Sequence, residues 1–309
     1  MSERAPLASG FLPDPERPEH RIWWELHGTG GREVVCLLNG LAMHTKAWYP
    51  FLDDLDGYDV LLYDYLGQGV SSSPDEPVAI PQLAGELRAV LDEIAVERAH
   101  VLGVSYGGFV ALDFARLFPQ RLDTLTLSGV LLSRERTFEL YQAMSLRFYA
   151  GGRALFPLYT HYLYEKIFGE RFLRIVEPEA LEAMRQRFEE RYIERIHSLV
   201  RLTEAQIPFF AGLDERLGEY RAVRAPALIL AGEQDRCIPL WAQAKVAEVL
   251  PNSRYELLAG AGHVVYLERR DLFFPRLGRF LALSRSPPHS PNPSPSLKGG
   301  EERPRPARR

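Results

Sequence analysis

Cysteine is nearly absent from this chain: Cys36 and Cys237 are the only two in 309 residues. Two cysteines so far apart cannot form the disulfide framework of a small secreted domain, and they favour a reduced, cytoplasmic setting. Long apolar runs are missing as well. Nothing approaches the ~18 consecutive apolar residues of a membrane span. Met1 to His20, broken by Pro6, Pro13, Pro15 and Pro18, has no signal-peptide core. No His-x-His, His-Glu-x-x-His or Cys-x-x-Cys spacing occurs, so a metal is not expected. Gly28-Thr29-Gly30-Gly31 lacks a Walker lysine and a Rossmann context, so no nucleotide cofactor is expected either. Net positive charge is absent from the body. Residues 285–309 hold six Lys/Arg against two Glu, a net of +4, which leaves −8 of the total −4 for residues 1–284. An acidic body argues against a nucleic-acid partner.

What is present is an ordinary globular composition, 46% hydrophobic and 25% charged, enough for a sizeable core. Residues 1–19 read as a mobile N-terminal segment. Arg21 to His27 reads as an early strand at the sheet edge. Glu33 to Leu38 and Asp59 to Tyr63 are short apolar runs of the kind buried on both faces of a sheet. Trp48, Phe51, Leu52 and Leu55 place an amphipathic helix over Lys46 to Asp56, closed by Gly57. Leu83, Leu87, Val90, Leu91 and Ile94 mark another helix over Ile80 to Val96. Strands at Ala99 to Val104, Leu122 to Leu127, Pro226 to Gly232 and Arg254 to Leu258, with helices between and after them, predict an α/β fold. Its sheet is mostly parallel and carries helices on both faces.

The alternation stops near Ser133 and resumes at Ala225. The expected organisation is an α/β core over 20–132 and 223–284, interrupted by a helical cap or lid insertion over 133–222. Fifteen of the chain's 34 aromatic residues fall in that insertion, above the share its length would give. They read as the packing of a small helical unit, with some rings lining an apolar substrate cavity. From 285 to 309 the chain is rich in Pro and Ser, has no aromatic residue, and reads as a disordered basic tail.

The chemistry centres on Gly103-Val104-Ser105-Tyr106-Gly107, which joins an apolar strand to a helix-forming segment. Gly-x-Ser-x-Gly in that setting is the pattern of a nucleophile elbow, with glycines where a Cβ would clash. A serine hydroxyl needs a base, and the base needs an orienting acceptor. His263, in the Gly-rich loop after the last strand, is the expected base. Asp235, in Gly232-Glu233-Gln234-Asp235 after the preceding strand, is the expected acid. His44 reads as a surface loop residue and Cys237 as a packing residue.

With these motifs the chain resembles the α/β-hydrolase superfamily over about residues 20 to 283, in the order Ser105, Asp235, His263. Asp64-Tyr65-Leu66-Gly67-Gln68-Gly69-Val70-Ser71 is similar to the family's Asp-x-Arg-Gly-x-Gly-x-Ser turn, with Leu66 in place of Arg, and Asp64 reads as a turn former. Many members carry His-Gly where this chain has Asn39-Gly40. The resemblance implies an oxyanion hole made by the backbone N–H groups of Leu41 and Tyr106. The implied activity is a serine hydrolase acting on a small apolar ester or thioester through an acyl-enzyme.

A narrower set of features comprises Asn39-Gly40 with Thr45, Gly67-Gln68, Ser105-x-Gly107-Gly108 and the length of the insertion. It resembles the 3-hydroxyacyl-carrier-protein O-acyltransferases that make rhamnolipid precursors, and implies acyl carrier protein as a partner. A non-catalytic small-molecule receptor would be marked by a missing triad member, and none is missing. Cofactor-free haloperoxidases and carbon–carbon hydrolases share the triad. A haloalkane dehalogenase would attack with Asp, not with Ser105.

Overall fold

The computed structural model describes residues 5–284, and the tail expected over 285–309 lies outside the described residues. Eight strands form one sheet: β1 (Ala8–Pro13), β2 (Arg21–His27), β3 (Val34–Leu38), β4 (Asp59–Asp64), β5 (Ala99–Val104), β6 (Leu122–Ser128), β7 (Ala227–Gly232) and β8 (Ser253–Leu258). Their order is β1-β2-β4-β3-β5-β6-β7-β8. β4 to β8 join through parallel pairings, while β1 and β2 run antiparallel to their neighbours.

The apolar runs are buried on both faces for a simple reason. Successive side chains alternate across a strand. Cys36 and Leu38 enter one core, with α1 (Ile80–Glu93) and α2 (Tyr106–Leu117). Val35 and Leu37 enter the other, against α11 (Arg270–Leu283). Every position of β3, β4, β5 and β7 is buried.

Three expectations need correction. Residues 8–13, read as part of a mobile segment, form β1 and pair with β2 from Ala8–Leu26 to Pro13–Arg21. Pro13 is tolerated because β1 is an edge strand. Accordingly Arg21–His27 is not at the edge: it is paired on both sides, by β1 and β4. Residues Thr45–Leu55 are 3₁₀-helical instead of α-helical. Pro50 lies within this segment and supplies no N–H to either kind of ladder, and the first three buried residues recur at every third position. The three-residue turn still buries Thr45, Trp48 and Phe51 together.

Between β6 and β7 the chain forms six helices: α3 (Arg136–Ala150), α4 (Gly152–Ile167), α5 (Glu170–Ile175), α6 (Pro178–Tyr192), α7 (Ile196–Ala211) and α8 (Leu213–Arg221). Tyr149, Phe156, Tyr159, Tyr192 and Leu199 give this insertion its own core. Phe138, Phe209 and Phe210 pack on Phe109 of α2, tying it to the body. Two helices follow β7 and β8, α9 (Leu240–Val249) and the short α10 (Val265–Glu268). No helix among the described residues is long and apolar enough to cross a membrane. Both cysteines are buried and unpaired.

Candidate active site

Ser105 lies between β5 and α2 with φ 52° and ψ −120°, a left-handed conformation that a side-chain-bearing residue rarely adopts. The turn is held by Ser105 N–H donating to the Ser128 carbonyl at 2.8 Å and by Gly108 N–H donating to the Ser105 carbonyl at 2.8 Å. The elbow glycines are required by space. A Cβ on Gly103 would stand 2.5 Å from the Gly107 carbonyl oxygen, and one on Gly107 would stand 2.5 Å from that of Leu38. The hydroxyl is thereby presented at the carboxyl ends of the parallel strands, where open α/β sheets bind ligands.

The loops after β7 and β8 bring Asp235 and His263 to that hydroxyl. His263 Nε2 is 2.9 Å from Ser105 Oγ, and His263 Nδ1 is 2.9 Å from Asp235 Oδ2. A carboxylate only accepts, so the neutral ring carries its proton on Nδ1 and Nε2 accepts from the serine. Asp235 is fixed on every side. Its Oδ1 accepts from the N–H groups of Cys237 and Ile238, and its Oδ2 from the Gln243 amide at 3.0 Å. Burial opposes a charge on His263, but the adjacent Asp235 carboxylate outweighs it, with help from Glu268. The imidazole pKa is therefore held above its ordinary value.

Asp235, Cys237 and His263 also bring potential metal-ligand atoms within 4.8 Å of one another. However, the four hydrogen bonds to Asp235 occupy its acceptor sites. Burial pushes the Cys237 thiol well up, as does the Asp235 charge. The donor set suits a hydrogen-bonded histidine better than a cation.

The loop before the elbow is held from below. Asn39 is fully buried, accepts from the Trp48 indole at 2.8 Å and donates to the Tyr63 carbonyl and to Asp64. Its side chain therefore braces the loop. Gln68 donates to the Gly40 carbonyl at 3.0 Å, and Tyr65 O–H donates to that of Asn39. Asp64 accepts from the Thr45 and Val70 N–H groups, as a turn former should. Burial raises its pKa to about 6 against those bonds. Ala42 turns the chain at φ 60°. Leu41 lines the cavity beside Ser105, and Tyr106 opens α2, where the first N–H groups have no intrahelical acceptor. His44 is half-buried and its pKa falls to about 4, through burial and then the nearby Arg191 and Lys46.

Several supporting residues carry no local sequence signal. Glu268 of α10 accepts from the N–H groups of Gly169, Gly262 and Val264, and His263 N–H donates to the Ile167 carbonyl at 2.8 Å. The histidine loop is thus joined to the end of α4. Tyr192 of α6 donates to the Met43 carbonyl at 3.1 Å. Gly129, at φ 64°, faces the imidazole, and a Cβ there would stand 2.7 Å from His263 Cε1. Gly129→Ala is expected to displace the ring and lower kcat about 100-fold, the cost of a misplacement near 1 Å. Steady-state kinetics on a folded variant checks this.

Above Ser105 lies a cavity of about 230 Å³. Six of the insertion's aromatic rings line it: Phe138, Tyr141, Tyr159, Tyr164, Phe168 and Phe188. No lysine or arginine is among its lining residues.

Comparison with known proteins agrees with this architecture. The α/β hydrolase fold family model matches residues 33–270. A 2-hydroxy-6-oxononadienedioate/2-hydroxy-6-oxononatrienedioate hydrolase of Paraburkholderia phymatum is 29% identical over 81% of this chain and 88% of its own. A poly(3-hydroxyalkanoate) depolymerase of Ectopseudomonas oleovorans is 28% identical over 81% and 85%. The crystal structure of MGS-M2, an alpha/beta hydrolase enzyme from a Medee basin deep-sea metagenome library, superposes with TM-score 0.80 at 22% identity. It covers 91% of this chain and 99% of that one, a likeness of fold. The sheet order and the family match over residues 33–270 place the chain in the α/β-hydrolase superfamily.

Proposed function

We propose that the protein is a serine hydrolase that cleaves neutral, largely apolar carboxylic esters or thioesters. The observation that carries this reading is the pair of 2.9 Å contacts from Ser105 to His263 and from His263 to Asp235 beneath an aromatic-lined cavity. Ser105 Oγ attacks the carbonyl carbon while His263 Nε2 takes its proton. The Leu41 and Tyr106 N–H groups donate to the oxyanion. Collapse expels the alcohol or thiol, which leaves with the proton from His263, and the acyl group remains on Ser105. Water, deprotonated by the same imidazole, releases the acid. Asp235 keeps the ring in the right tautomer and stabilises its cationic form. The insertion over 133–222 acts as the lid, and its rings exclude solvent from the acyl group.

The cavity's lack of Lys and Arg favours neutral over anionic substrates. A diacid such as the dienedioate named for the Paraburkholderia relative would bury a carboxylate with no cation to pair with it, at a large desolvation cost. The expected result is that p-nitrophenyl esters of rising chain length gain in kcat/KM beyond acetate. An ester with a terminal carboxylate should fall at least about tenfold below its neutral match. A flat profile with acetate preferred would contradict the reading. In the acyltransferase alternative, the acyl-enzyme passes its acyl group to a hydroxyl on a second 3-hydroxyacyl chain instead of to water. Incubation with 3-hydroxyacyl carrier protein separates the two: free hydroxy acid alone supports hydrolysis, and a joined dimer supports transfer.

A further inference from the structure

The roof of the cavity is not uniformly apolar. Gln142 and Ser145 sit three residues apart on α3, and Thr203 and Gln206 sit three apart on α7, so each pair shares one helix face. All four line the cavity, and all are more than nine-tenths buried. Ser145 donates to the Tyr141 carbonyl at 3.0 Å, and Gln206 reaches the Leu202 carbonyl only at 3.5 Å. The Gln142 amide nitrogen, buried in a side chain 7% exposed, has no hydrogen-bond partner among the described residues. Beside this group the Tyr149 hydroxyl donates to that of Tyr159 at 2.6 Å, and Tyr159 also lines the cavity.

A buried carboxamide without a partner lowers stability. A lid that only had to cover an alkyl chain would carry leucine or methionine at position 142. A carboxamide both donates and accepts, and it does so without charge. It therefore suits a neutral oxygen of the substrate; a carboxylate would find a donor here but no countercharge among the lining residues, and bare hydrocarbon would leave the donor unpaired.

We propose that Gln142, with Gln206 and the neighbouring hydroxyls, forms a subsite for a neutral oxygen, hydroxyl or ketone, on the acyl chain of the substrate. The inference rests on the serine-hydrolase reading for where the ester carbonyl lies. In a hydroxyacyl or oxoacyl ester, Ser105 engages the carbonyl and the α3–α7 face engages the second oxygen. The subsite then sets which acyl chains are cleaved fastest, because an unoxidised chain leaves the Gln142 amide unpaired.

The test compares methyl octanoate with its 3-, 5- and 7-hydroxy and oxo forms. Wild-type protein should favour at least one oxygenated ester by roughly tenfold in kcat/KM. In Gln142→Leu and, as an independent fold-preserving variant, Gln142→Met, that ratio should fall toward one. A best hydroxy ester and a best oxo ester each support the subsite, and they separate the two sources of the oxygen. Calorimetric dissociation constants of the same esters with Ser105→Ala read the subsite without turnover. A binding preference that persists while wild-type protein cleaves none of the esters would leave the subsite standing and remove the hydrolase reading. No preference at any position in turnover or binding would overturn the proposal, as ordered water would then satisfy the amide. A preference unchanged in both Gln142 variants would also overturn it.

Discussion

Ser105→Ala is expected to lower ester hydrolysis on the order of 10⁶-fold, the scale on which a triad serine acts. The folded state should hardly notice. Among the described residues Ser105 Oγ hydrogen-bonds only to the His263 ring, and the turn is held by backbone groups that alanine retains. Alanine has the same Cβ, so the strain of φ 52° is unchanged. An unchanged thermal midpoint with abolished turnover is the expected pair of results. Appreciable residual turnover would mean that the nucleophile is water activated by His263, and that Ser105 is only its neighbour.

The second large effect belongs to Asp235. Asp235→Asn is expected to lower kcat/KM about 10⁴-fold at neutral pH. The asparagine amide would donate to His263 Nδ1, forcing the ring proton onto Nε2, which then cannot accept from Ser105. The change also has a sign in pH. The wild-type imidazole pKa is raised, burial being outweighed by the Asp235 charge. The base is active when neutral, so activity is lost as pH falls through that raised value. The acid limb of kcat/KM should therefore lie above the ordinary imidazole pKa of about 6.5. In Asp235→Asn burial stays and the charge goes, so the residual activity should have its acid limb at lower pH. An acid limb that does not move, or moves upward, would show that another group titrates.

Much of this site was legible in the sequence because its signals are local. An apolar run, two glycines flanking x-Ser-x and a helical segment all lie within residues 99–117, and the clash distances at Gly103 and Gly107 give the reason for that pattern. Gly232-Glu233-Gln234-Asp235 and Gly262-His263 stand at strand ends, so the order of elements alone sends them to one edge of the sheet. Asn39 was recognisable as a departure from His-Gly, but its bracing role depends on Trp48 and Tyr63, residues that the fold brings in.

The remainder was hidden by distance along the chain. β1 is an edge strand whose short stretch contains Gly10 and ends at Pro13, and only its register with β2 identifies it. Gly129 looks like any strand-end glycine until the imidazole is placed against it. Glu268 follows His263 by five residues, yet its function as a shared acceptor needs Gly169, ninety-nine residues upstream. Gln142 and Gln206 are ordinary helix-surface residues by type. What marks them is burial, which follows from α3 packing on α7 over the cavity.

Ser105 is expected to become covalently acylated with His263 as its base. A fluorophosphonate probe reports this directly, with wild-type protein, Ser105→Ala and His263→Ala treated side by side and the modified peptide identified by mass spectrometry. The expected result is rapid labelling of wild-type protein on Ser105, none of Ser105→Ala, and labelling of His263→Ala slowed by several orders of magnitude. Equal labelling of all three proteins, or an adduct on any residue other than Ser105, would contradict it.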